Sequence, residues 1–299
     1  MVPLVFHPIY SQLALPPRHR FPIQKYQSLK DKLIKSGVAE DSFWRPLPIE
    51  GAKINAAHST FYVDSFLNGT INDKAIRRIG MPWSEQFVQR TLHAVGGTVL
   101  ASQLAMEHGV ALNLTGGYHH AFFDAGSGFC VFNDIILSAK EMLKKPGIDR
   151  VLAFDCDVHQ GDGTALLASE DSSIYTVSLH CEKNFPARKQ YSDLDFPLPR
   201  GMADDEYLHV VECAINLAFS TALPDAVIYD GGVDIHEADD LGYLQISTKG
   251  VYERDKLVFD ACKRYGVPVV AVIGGGYQRD IDDLVDVHFQ LFRAAGAVK

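Results

Sequence analysis

The feature that most constrains the fold is a short apolar run that recurs along the chain, followed by a glycine-rich or polar loop and a helical pattern. The runs occupy residues 111–114, 151–154, 174–179, 226–229 and 267–273. Continuous apolar strands that alternate with helices are typical of a parallel sheet whose two faces are both covered. The chain is therefore predicted to be an α/β protein with a mostly parallel central sheet flanked by helices.

Helices are predicted where apolar residues recur at helical spacing. They cover about 85–108, 132–144, 204–221, 249–265 and 280–295. Residues 15–22 are rich in proline and arginine, and residues 184–200 contain three prolines without a clear period. Both stretches are therefore predicted to be surface loops. No repeat, low-complexity tract or linker interrupts the pattern, which indicates a single domain over residues 1–299.

Composition narrows the class of protein. Apolar residues make up 47% of the chain, enough for a large core, and the net charge of −9 argues against nucleic acid as the main partner. Net acidity would tolerate cationic substrates, although an acidic surface that keeps a protein in solution is the simpler explanation. We expect no signal peptide, because the N-terminus lacks a basic start followed by a long apolar run. We also expect no membrane span, because no stretch of about 18 apolar residues occurs, and a cytoplasmic location is the default expectation.

The five cysteines are widely spaced and contain no C-x-x-C pair. This argues against both a disulfide framework and a cysteine zinc cage, and it favours reduced, mostly buried thiols.

Polar side chains with metal-ligand character follow one of the predicted strands. Asp155, Asp157 and His159 are two residues apart, so strand alternation would place them on one side. A D-x-H pair can offer one carboxylate oxygen and one imidazole nitrogen to the same ion, and three protein ligands plus water is the usual layout of a catalytic zinc. Asp234, after a later glycine-rich loop, fits as the third ligand. An isolated D-x-H sequence is more often merely solvated, so the prediction depends on the whole set.

The adjacent His119 and His120 follow another strand and a Gly-Gly turn. A neutral imidazole is the natural general base near neutral pH, and a carboxylate on its other nitrogen would orient it. Asp155 and Asp162 are available for this role. The alternative is that one histidine is structural and the other is exposed.

Tyr277 comes directly after three glycines at the end of the last predicted strand. Glycines are expected where the backbone must bend or approach a ligand closely, and a phenol there could donate to a developing oxyanion. A phosphate-binding loop fits less well, because no lysine follows and Asp280 would repel a phosphate. Phe129, beside Gly128, and Phe185 could wall a narrow apolar tunnel, although core packing is the commoner role of such residues.

Together these residues resemble the motifs of histone deacetylases. The matching segments are Gly116-Gly117-Tyr118-His119-His120-Ala121, Gly128-Phe129-Cys130, Asn133-Asp134, Asp155-Cys156-Asp157-Val158-His159-Gln160-Gly161-Asp162-Gly163, Gly232-Val233-Asp234 and Gly274-Gly275-Gly276-Tyr277. The resemblance covers roughly residues 50 to 295 in the right order. Three further segments resemble the class IV branch, which has short bacterial members. They are Asp204-Asp205-Glu206-Tyr207-Leu208, Leu223-Pro224-Asp225 and Leu241-Gly242-Tyr243-Leu244.

The resemblance implies the arginase/deacetylase fold and a hydroxamate-sensitive hydrolase that removes acyl groups from amines without NAD. It implies zinc on Asp157, His159 and Asp234, and iron(II) is the alternative because this ligand set does not exclude it. His120 would be the general base and then acid, oriented by Asp162. His119 with Asp155 would tune the electrostatics, and Tyr277 would polarise the amide carbonyl. The channel for the acyl-lysine would be lined by Gly128, Phe129 and Phe185.

The resemblance also implies bound potassium. The first site would use Asp155, Asp157, His159, Ser178 and Leu179. A second monovalent-cation site is implied near Ala168, Asp171 and Ile174.

Three departures from the family pattern stand out. Gln160 occupies a position where many relatives have a second histidine, although glutamine fits class IV. No residue matches the rim carboxylate that binds the substrate backbone in other branches, which leaves peptide recognition open. Residues before about 50 match less well.

Several functions remain open at the level of sequence. The first is hydrolysis of acetyl-lysine or a longer acyl-lysine, and the second is deacetylation of acetylpolyamines or another small amide. A ureohydrolase of the same fold would need a second metal bridged by further carboxylates, but Asp234 is followed by Ile235-His236-Glu237. A non-catalytic binder of acyl ligands would be expected to lack one of the site residues. The sequence does not indicate the oligomeric state.

Overall fold

The computed structural model describes residues 2–299, and its centre is one eight-stranded sheet in which every neighbouring pair of strands is parallel. The strands are β1 (Leu4–Val5), β2 (Phe43–Trp44), β3 (Val110–Asn113), β4 (Val151–Asp155), β5 (Ile174–Cys181), β6 (Leu194–Leu198), β7 (Ala226–Asp230) and β8 (Val269–Val272). Their order across the sheet is β2-β1-β3-β8-β7-β4-β5-β6.

Ten α-helices surround the sheet within the described residues. They are α1 (Lys25–Lys35), α2 (Gly51–Ile54), α3 (Thr60–Leu67), α4 (Asp73–Ile79), α5 (Glu85–His108), α6 (Asp134–Met142), α7 (Asp162–Ala168), α8 (Asp204–Ala222), α9 (Thr248–Tyr265) and α10 (Ile281–Ala294). The α/β fold class with a parallel sheet is thus confirmed. The five predicted strands and the five predicted helices all form, and their ends differ from the predicted ones by at most a few residues.

The central strands are buried on both faces, as their unbroken apolar sequences predict. Every residue of β4 and of β7 is buried. Helix α5 packs against β3 and β8, α6 packs against β4 and β7, and α8 packs against β5 and β6. The core therefore lies on both sides of the sheet, and polar side chains at the strand ends are held on a rigid support.

Side-chain caps fix the beginnings of the helices that border the polar loops. The side chain of Asn133 accepts a hydrogen bond from Ile136 N at the start of α6, which satisfies one of the free amides of the first turn. Asp134, the first residue of α6, accepts hydrogen bonds from Gly117 N at 3.2 Å and Tyr118 N at 2.7 Å. The N-terminus of α6 therefore anchors the loop that follows β3.

One of the two predicted surface loops is partly wrong. Residues 15–22 form no helix or strand, as predicted, but residues 184–200 include strand β6. This strand contains Pro197 and lies at the edge of the sheet, where a residue without an N–H is tolerated. The proline that suggested a loop is therefore compatible with an edge strand.

Residues before about 50 complete the other edge of the sheet. Strands β1 and β2 extend it beyond β3, and α1 packs against α10. Among the described residues, none of the helices has both the length and the apolarity needed to cross a membrane.

Candidate active site

The predicted site residues lie in the loops that leave the carboxyl ends of four adjacent strands. In the sheet these strands follow one another as β3, β8, β7 and β4. The histidine pair follows β3, Tyr277 follows β8, Asp234 follows β7, and Asp157 with His159 follow β4. Because parallel strands deliver their carboxyl ends to one edge, residues far apart in sequence meet there.

Asp157, His159 and Asp234, called the metal group below, converge in the protein interior. One potential ligand atom from each lies within 4.8 Å of the others. His159 Nδ1 is 3.1 Å from Asp157 Oδ1 and 3.0 Å from Asp234 Oδ2. One nitrogen and two oxygens form a donor set that suits Zn²⁺ or Fe²⁺ and corresponds to the three protein ligands of a catalytic zinc site.

The two buried carboxylates of the metal group favour a positive charge beside them. Burial and the neighbouring Asp157 carboxylate together raise the pKa of Asp234 to about 7, against the lowering influence of His159. Burial opposes protonation of His159, but hydrogen bonds to Asp157 and Asp234 outweigh it and raise the pKa of His159 to about 10. Two buried carboxylates this close together favour a positive charge between them, which protonated His159 supplies and which a bound metal ion would supply in its place.

Glycines allow the surrounding loops to come close enough to orient these carboxylates. Gly275 N donates to Asp157 Oδ2 at 2.7 Å, and Val158 N donates to Asp234 Oδ1 at 2.9 Å. A Cβ atom at Gly275 would lie 2.1 Å from Asp234 Oδ2, and one at Gly232 would lie 2.4 Å from Asp157 Oδ2. Larger residues are excluded at both positions, so the cradle fits an ion held by these carboxylates.

The alternation predicted for Asp155, Asp157 and His159 does not continue as expected. Strand β4 ends at Asp155, and the next residues belong to the loop. Asp155 turns its carboxylate toward His119, with Oδ2 2.8 Å from His119 Nδ1, whereas Asp157 and His159 face Asp234. A strand period could not place the last two because the backbone leaves the extended conformation before reaching them.

His119 and His120 form a buried histidine dyad, each imidazole backed by its own carboxylate. His120 Nδ1 donates to Asp162 Oδ1 at 2.7 Å, as the sequence suggested. The Nε2 atoms of the two rings are 3.1 Å apart. Both histidines are only 4% exposed, so the reading in which one of them points to solvent is wrong.

The surroundings of the dyad separate its two pKa values. Burial lowers the pKa of His119, but the carboxylates of Asp155 and Asp157 outweigh burial and raise that pKa well above its ordinary value. Burial and the positive charge of His119 lower the pKa of His120 to about 4, against the influence of Asp162. Near neutral pH the positive charge therefore resides on His119, and His120 is the neutral imidazole.

Asp230 is a buried acid that sequence reasoning missed. Its Oδ2 atom lies 3.9 Å from His119 Nδ1, and it forms a second candidate ligand group with His119 and Asp155. Within residues 2–299 neither of its carboxylate oxygens has a hydrogen-bond partner. Burial and the nearby Asp155 raise its pKa well above the ordinary value. A sequence signal was present, because Asp230 directly follows the apolar run 226–229, just as Asp155 follows the run 151–154.

Tyr277 lies at the end of the glycine loop, and contacts to the backbone of this loop and of Tyr277 hold it there. Its amide donates to Asp239 Oδ2 at 2.7 Å, and its ring centroid is 6.3 Å from that of His159. Lys25, fully buried at the start of α1, donates to the carbonyls of Gly274 at 3.1 Å and Gly276 at 3.4 Å. No local sequence pattern indicates that Lys25 or Asp239 supports this loop.

Arg254 is a second buried cation that sequence reasoning missed. From α9 it donates to the carbonyls of Gly232 at 2.6 Å, Gly231 at 3.2 Å and Cys156 at 3.4 Å. The first two precede Asp234 and the third precedes Asp157. One guanidinium therefore ties together the two loops that carry Asp157 and Asp234.

A cavity of about 830 Å³ leads to these groups, and the predicted tunnel residues line it. Its inner part contains His120, His159, Asp162 and Tyr277. The Phe185 ring stands edge-on to His120, with centroids 4.8 Å apart, and the Phe129 ring lies 5.9 Å from the Tyr277 ring. Gly128 is required beside them, because a Cβ atom there would be 2.7 Å from His120 Cδ2.

Gln160 has a structural role in this wall. Its side-chain amide donates to Gln190 O and to Asp195 Oδ1, both at 2.8 Å, and its oxygen accepts from Gln190 N. Gln160, which stands where many relatives have a histidine, therefore holds the segment between Phe185 and β6 in place.

Some of the residues expected to hold potassium already have other hydrogen-bond or ion-pair partners. Ser178 pairs in register with Asp155, and Leu179 is the next residue of β5. The Ser178 hydroxyl is also 3.0 Å from His180 Nδ1. At the second expected site, the Asp171 carboxylate already pairs with Lys140 at 3.4 Å.

The chain is similar in sequence to several known proteins. A family model described as the histone deacetylase domain matches residues 19–291. The chain is 46% identical over 294 residues to an uncharacterized protein of Picosynechococcus sp., covering 98% of each. It is 30% identical over 280 residues to histone deacetylase 2 of Arabidopsis thaliana, covering 90% of this chain and 72% of that protein. It is 33% identical over 199 residues to histone deacetylase 8 of Xenopus laevis, covering 62% of this chain and 59% of that protein.

Proposed function

Because the chain belongs to the histone deacetylase family, we propose that it is a metal-dependent deacylase of acyl-lysine. It would hydrolyse an N-acyl amide, with an acetyl or longer acyl group, to a free amine and a carboxylate. Family membership supports deacylase hydrolysis in general. The observation that carries the specific proposal is that the metal group, the dyad and Tyr277 meet around one cavity.

We assign the metal to Asp157, His159 and Asp234, with Zn²⁺ as the expected ion and Fe²⁺ as the alternative. When bound, such an ion would polarise the acyl carbonyl and make a water molecule more acidic. The assignment is supported by the convergence of the three ligand atoms and by the two glycines that leave room for them.

The dyad is proposed to move the protons. His120 lines the cavity as a neutral imidazole with Nδ1 bound to Asp162, so Nε2 is its proton-accepting atom. Once Nε2 turns from His119 Nε2, 3.1 Å away, to the attacking water, it takes a proton from that water as the new C–O bond forms. The same nitrogen returns that proton to the leaving amine as the C–N bond breaks. Asp162 keeps Nδ1 of His120 protonated and the ring oriented, and His119 with Asp155 holds a positive charge beside it.

Tyr277 is proposed to donate its hydroxyl hydrogen to the carbonyl oxygen as negative charge develops there. Its phenol stays protonated, because burial and the nearby Asp157 and Asp234 raise its pKa well above 10. Phe129 and Phe185 contribute apolar walls suited to the alkyl chain of an acyl-lysine. The proposed partner of this site is the acylated amine itself, and the proposal includes neither nucleic acid nor a membrane.

Further proposals concern the ions and the setting. We propose a structural K⁺ bound by Asp155, Asp157, His159, Ser178 and Leu179. It is supported by the register between Asp155 and Ser178 and by a small internal space of about 10 Å³ that both residues line. A deacetylase domain spanning 1–299 and a cytoplasmic location are also proposed, the latter because all five cysteines are unpaired.

A ureohydrolase with two metals fits less well than a single-metal deacylase. Two-metal sites hold their ions close together through shared ligands. Here the two candidate ligand groups have no residue in common, and His119 of the second group is hydrogen-bonded to Asp155. The family match also favours the deacylase.

The proposal is tested with purified protein and a panel of fluorogenic Nε-acyl-lysine substrates carrying acetyl, trifluoroacetyl, octanoyl or myristoyl groups. Metal content is determined in parallel, with and without a hydroxamate. We expect hydroxamate-sensitive turnover with about one metal ion per chain, and the preferred acyl length reports the depth of the cavity. Bound metal with turnover of acetylpolyamines alone would contradict the assigned substrate. Hydroxamate binding without any turnover would indicate a non-catalytic binder.

A further inference from the structure

The mouth of the active-site cavity is basic, although the protein as a whole is acidic. Five charged residues line the cavity: Arg20, Arg78, Arg188, Asp162 and Asp240. The three arginines are exposed and are called the arginine rim below, whereas Asp162 is buried against His120. The net charge of −9 is spread over the whole surface, and salt screens charges beyond about 8 Å. A ligand at the mouth therefore responds mainly to the rim.

Asp240, the exposed carboxylate among the described residues that line the cavity, is already paired. Asp240 Oδ2 accepts from Arg279 Nε at 2.7 Å and from Arg20 at 3.3 Å. In contrast, within residues 2–299 no carboxylate lies within 4.0 Å of the Arg78 or Arg188 guanidinium groups. The Arg78 guanidinium lies 5.1 Å from the centroid of Phe122, another residue of the cavity wall. Two guanidinium groups at the mouth are thus free to bind an anion.

The direction of the substrate follows from the proposed function, on which this inference rests. The scissile amide must reach the buried end of the cavity, where His120, His159 and Tyr277 lie. The alkyl chain of the amine then runs between Phe129 and Phe185, and the far end of the amine emerges at the rim. A guanidinium presents parallel N–H donors that match a carboxylate, and it repels an ammonium group.

We propose that the arginine rim selects acylated amines whose far end carries a carboxylate, either a free acylated amino acid or an acyl-lysine beside acidic residues in a peptide. The same rim disfavours acetylpolyamines, whose far end is cationic. In other branches of the family a carboxylate at the rim binds the substrate backbone, and no residue of this sequence matches it. We infer that the arginine rim serves here instead, with the opposite charge.

The test compares three small substrates that share an acetylated amine on a chain of similar length. Nα,Nε-diacetyl-lysine carries a carboxylate, its N-methylamide is neutral, and N-acetylcadaverine is cationic. Two peptides, with acetyl-lysine flanked by aspartates or by lysines, show whether the carboxylate can come from a peptide. The wild-type holoenzyme should prefer the anionic member of each set by about three- to tenfold in kcat/KM. The preference should appear in KM, because the rim is remote from the reacting bond.

The variant Arg78→Gln/Arg188→Gln should lose the preference, because its KM for the anionic substrate should rise to that of the neutral one. Arg293→Gln, an exposed arginine of α10 that stacks on Tyr252 instead of lining the cavity, is the matched control and should keep it. The affinity for a neutral hydroxamate should be the same in all three proteins, which verifies that each site is intact.

The outcomes separate this inference from the proposed function. Turnover of all substrates without a preference for the anion, or a preference that survives in the double variant, would overturn the role of the arginine rim alone. Absence of turnover together with absence of hydroxamate binding would overturn the proposed function, and the substrate selection with it.

Discussion

At the scale of single residues, the two histidines of the dyad acquire different properties from the carboxylates behind them. His119 is surrounded by Asp155, Asp157 and Asp230, and its pKa is raised. His120 has only Asp162 and faces the charge of His119, and its pKa is lowered to about 4. Identical side chains at adjacent positions are thus suited to hold a charge and to accept a proton, respectively.

Replacing the proposed proton acceptor should separate catalysis from metal binding. We predict that His120→Ala lowers kcat for an acyl-lysine substrate by about 10²- to 10⁴-fold, the usual contribution of general acid–base catalysis. Metal content should stay at the wild-type level, because His120 donates to Asp162 and not to the metal group. Steady-state kinetics and elemental analysis of the same preparation check this, with the exposed His108→Ala as control. Turnover near the wild-type value would remove His120 from its role.

A second prediction concerns only the hydroxyl group of Tyr277. Tyr277→Phe keeps the ring that packs near Phe129 and removes only the hydroxyl. We expect kcat to fall about 10²- to 10³-fold, as on loss of one oxyanion donor. The dissociation constant of a competitive ground-state ligand should change much less. A variant with normal kcat would show that the hydroxyl does not stabilise the transition state.

At the scale of elements, the site depends on loops that are held from behind by buried cations. Arg254 of α9 binds the carbonyls of the loops that carry Asp157 and Asp234. Lys25 of α1 binds the glycine loop before Tyr277, and burial lowers the pKa of its ammonium group to about 8. Two helices on the periphery of the sheet thus keep the strand-end loops in place.

Another link between elements should make stability depend on pH. His58 Nδ1 donates to Phe122 O at 2.7 Å, and its Nε2 accepts from Asn133 N at 2.9 Å. Burial lowers the pKa of His58 to about 4, below the value of 6.5 expected in the unfolded chain. As pH falls, the unfolded state therefore takes up the proton first. The contribution of His58 to stability is complete above pH 6.5 and is lost as pH falls toward 4.

The variant His58→Gln tests this linkage, because glutamine can make both hydrogen bonds without titrating. Between pH 7.5 and 5.0 the wild type should lose about 2 kcal/mol more free energy of unfolding than the variant. Urea denaturation at the two pH values measures the difference. Equal losses in both proteins would contradict the assignment of His58 as a neutral link.

The elements that could be predicted from the sequence are those with an unambiguous pattern. The continuous apolar runs of β4 and β7 and the helical period of α9 were sufficient. Strands β1 and β2 have two residues each, too few for a period to appear. Strand β6 was missed because Pro197 is acceptable only at the edge position, which becomes known with the order of the strands.

At the scale of the whole molecule, the candidate site was predictable where its residues lie in short motifs. Asp157 and His159 are two residues apart in the sequence, and His119 and His120 are adjacent. Lys25 is 249 residues away from Gly274, whose carbonyl it binds, and no local pattern reveals that contact. The charge of the cavity mouth was equally hidden, because Arg20, Arg78 and Arg188 come from separate segments and the composition of the chain is acidic.

The central claim is that hydrolysis depends on one metal ion held by Asp157, His159 and Asp234. The most direct measurement is a titration of metal-stripped protein with Zn²⁺, and separately with Fe²⁺ under anaerobic conditions, while bound metal and turnover of an acetyl-lysine substrate are followed together. We predict that turnover rises in proportion to bound metal, reaches its plateau at about one ion per chain, and does not return in Asp234→Ala. Full turnover in the stripped protein, or wild-type metal binding by Asp234→Ala, would contradict the claim.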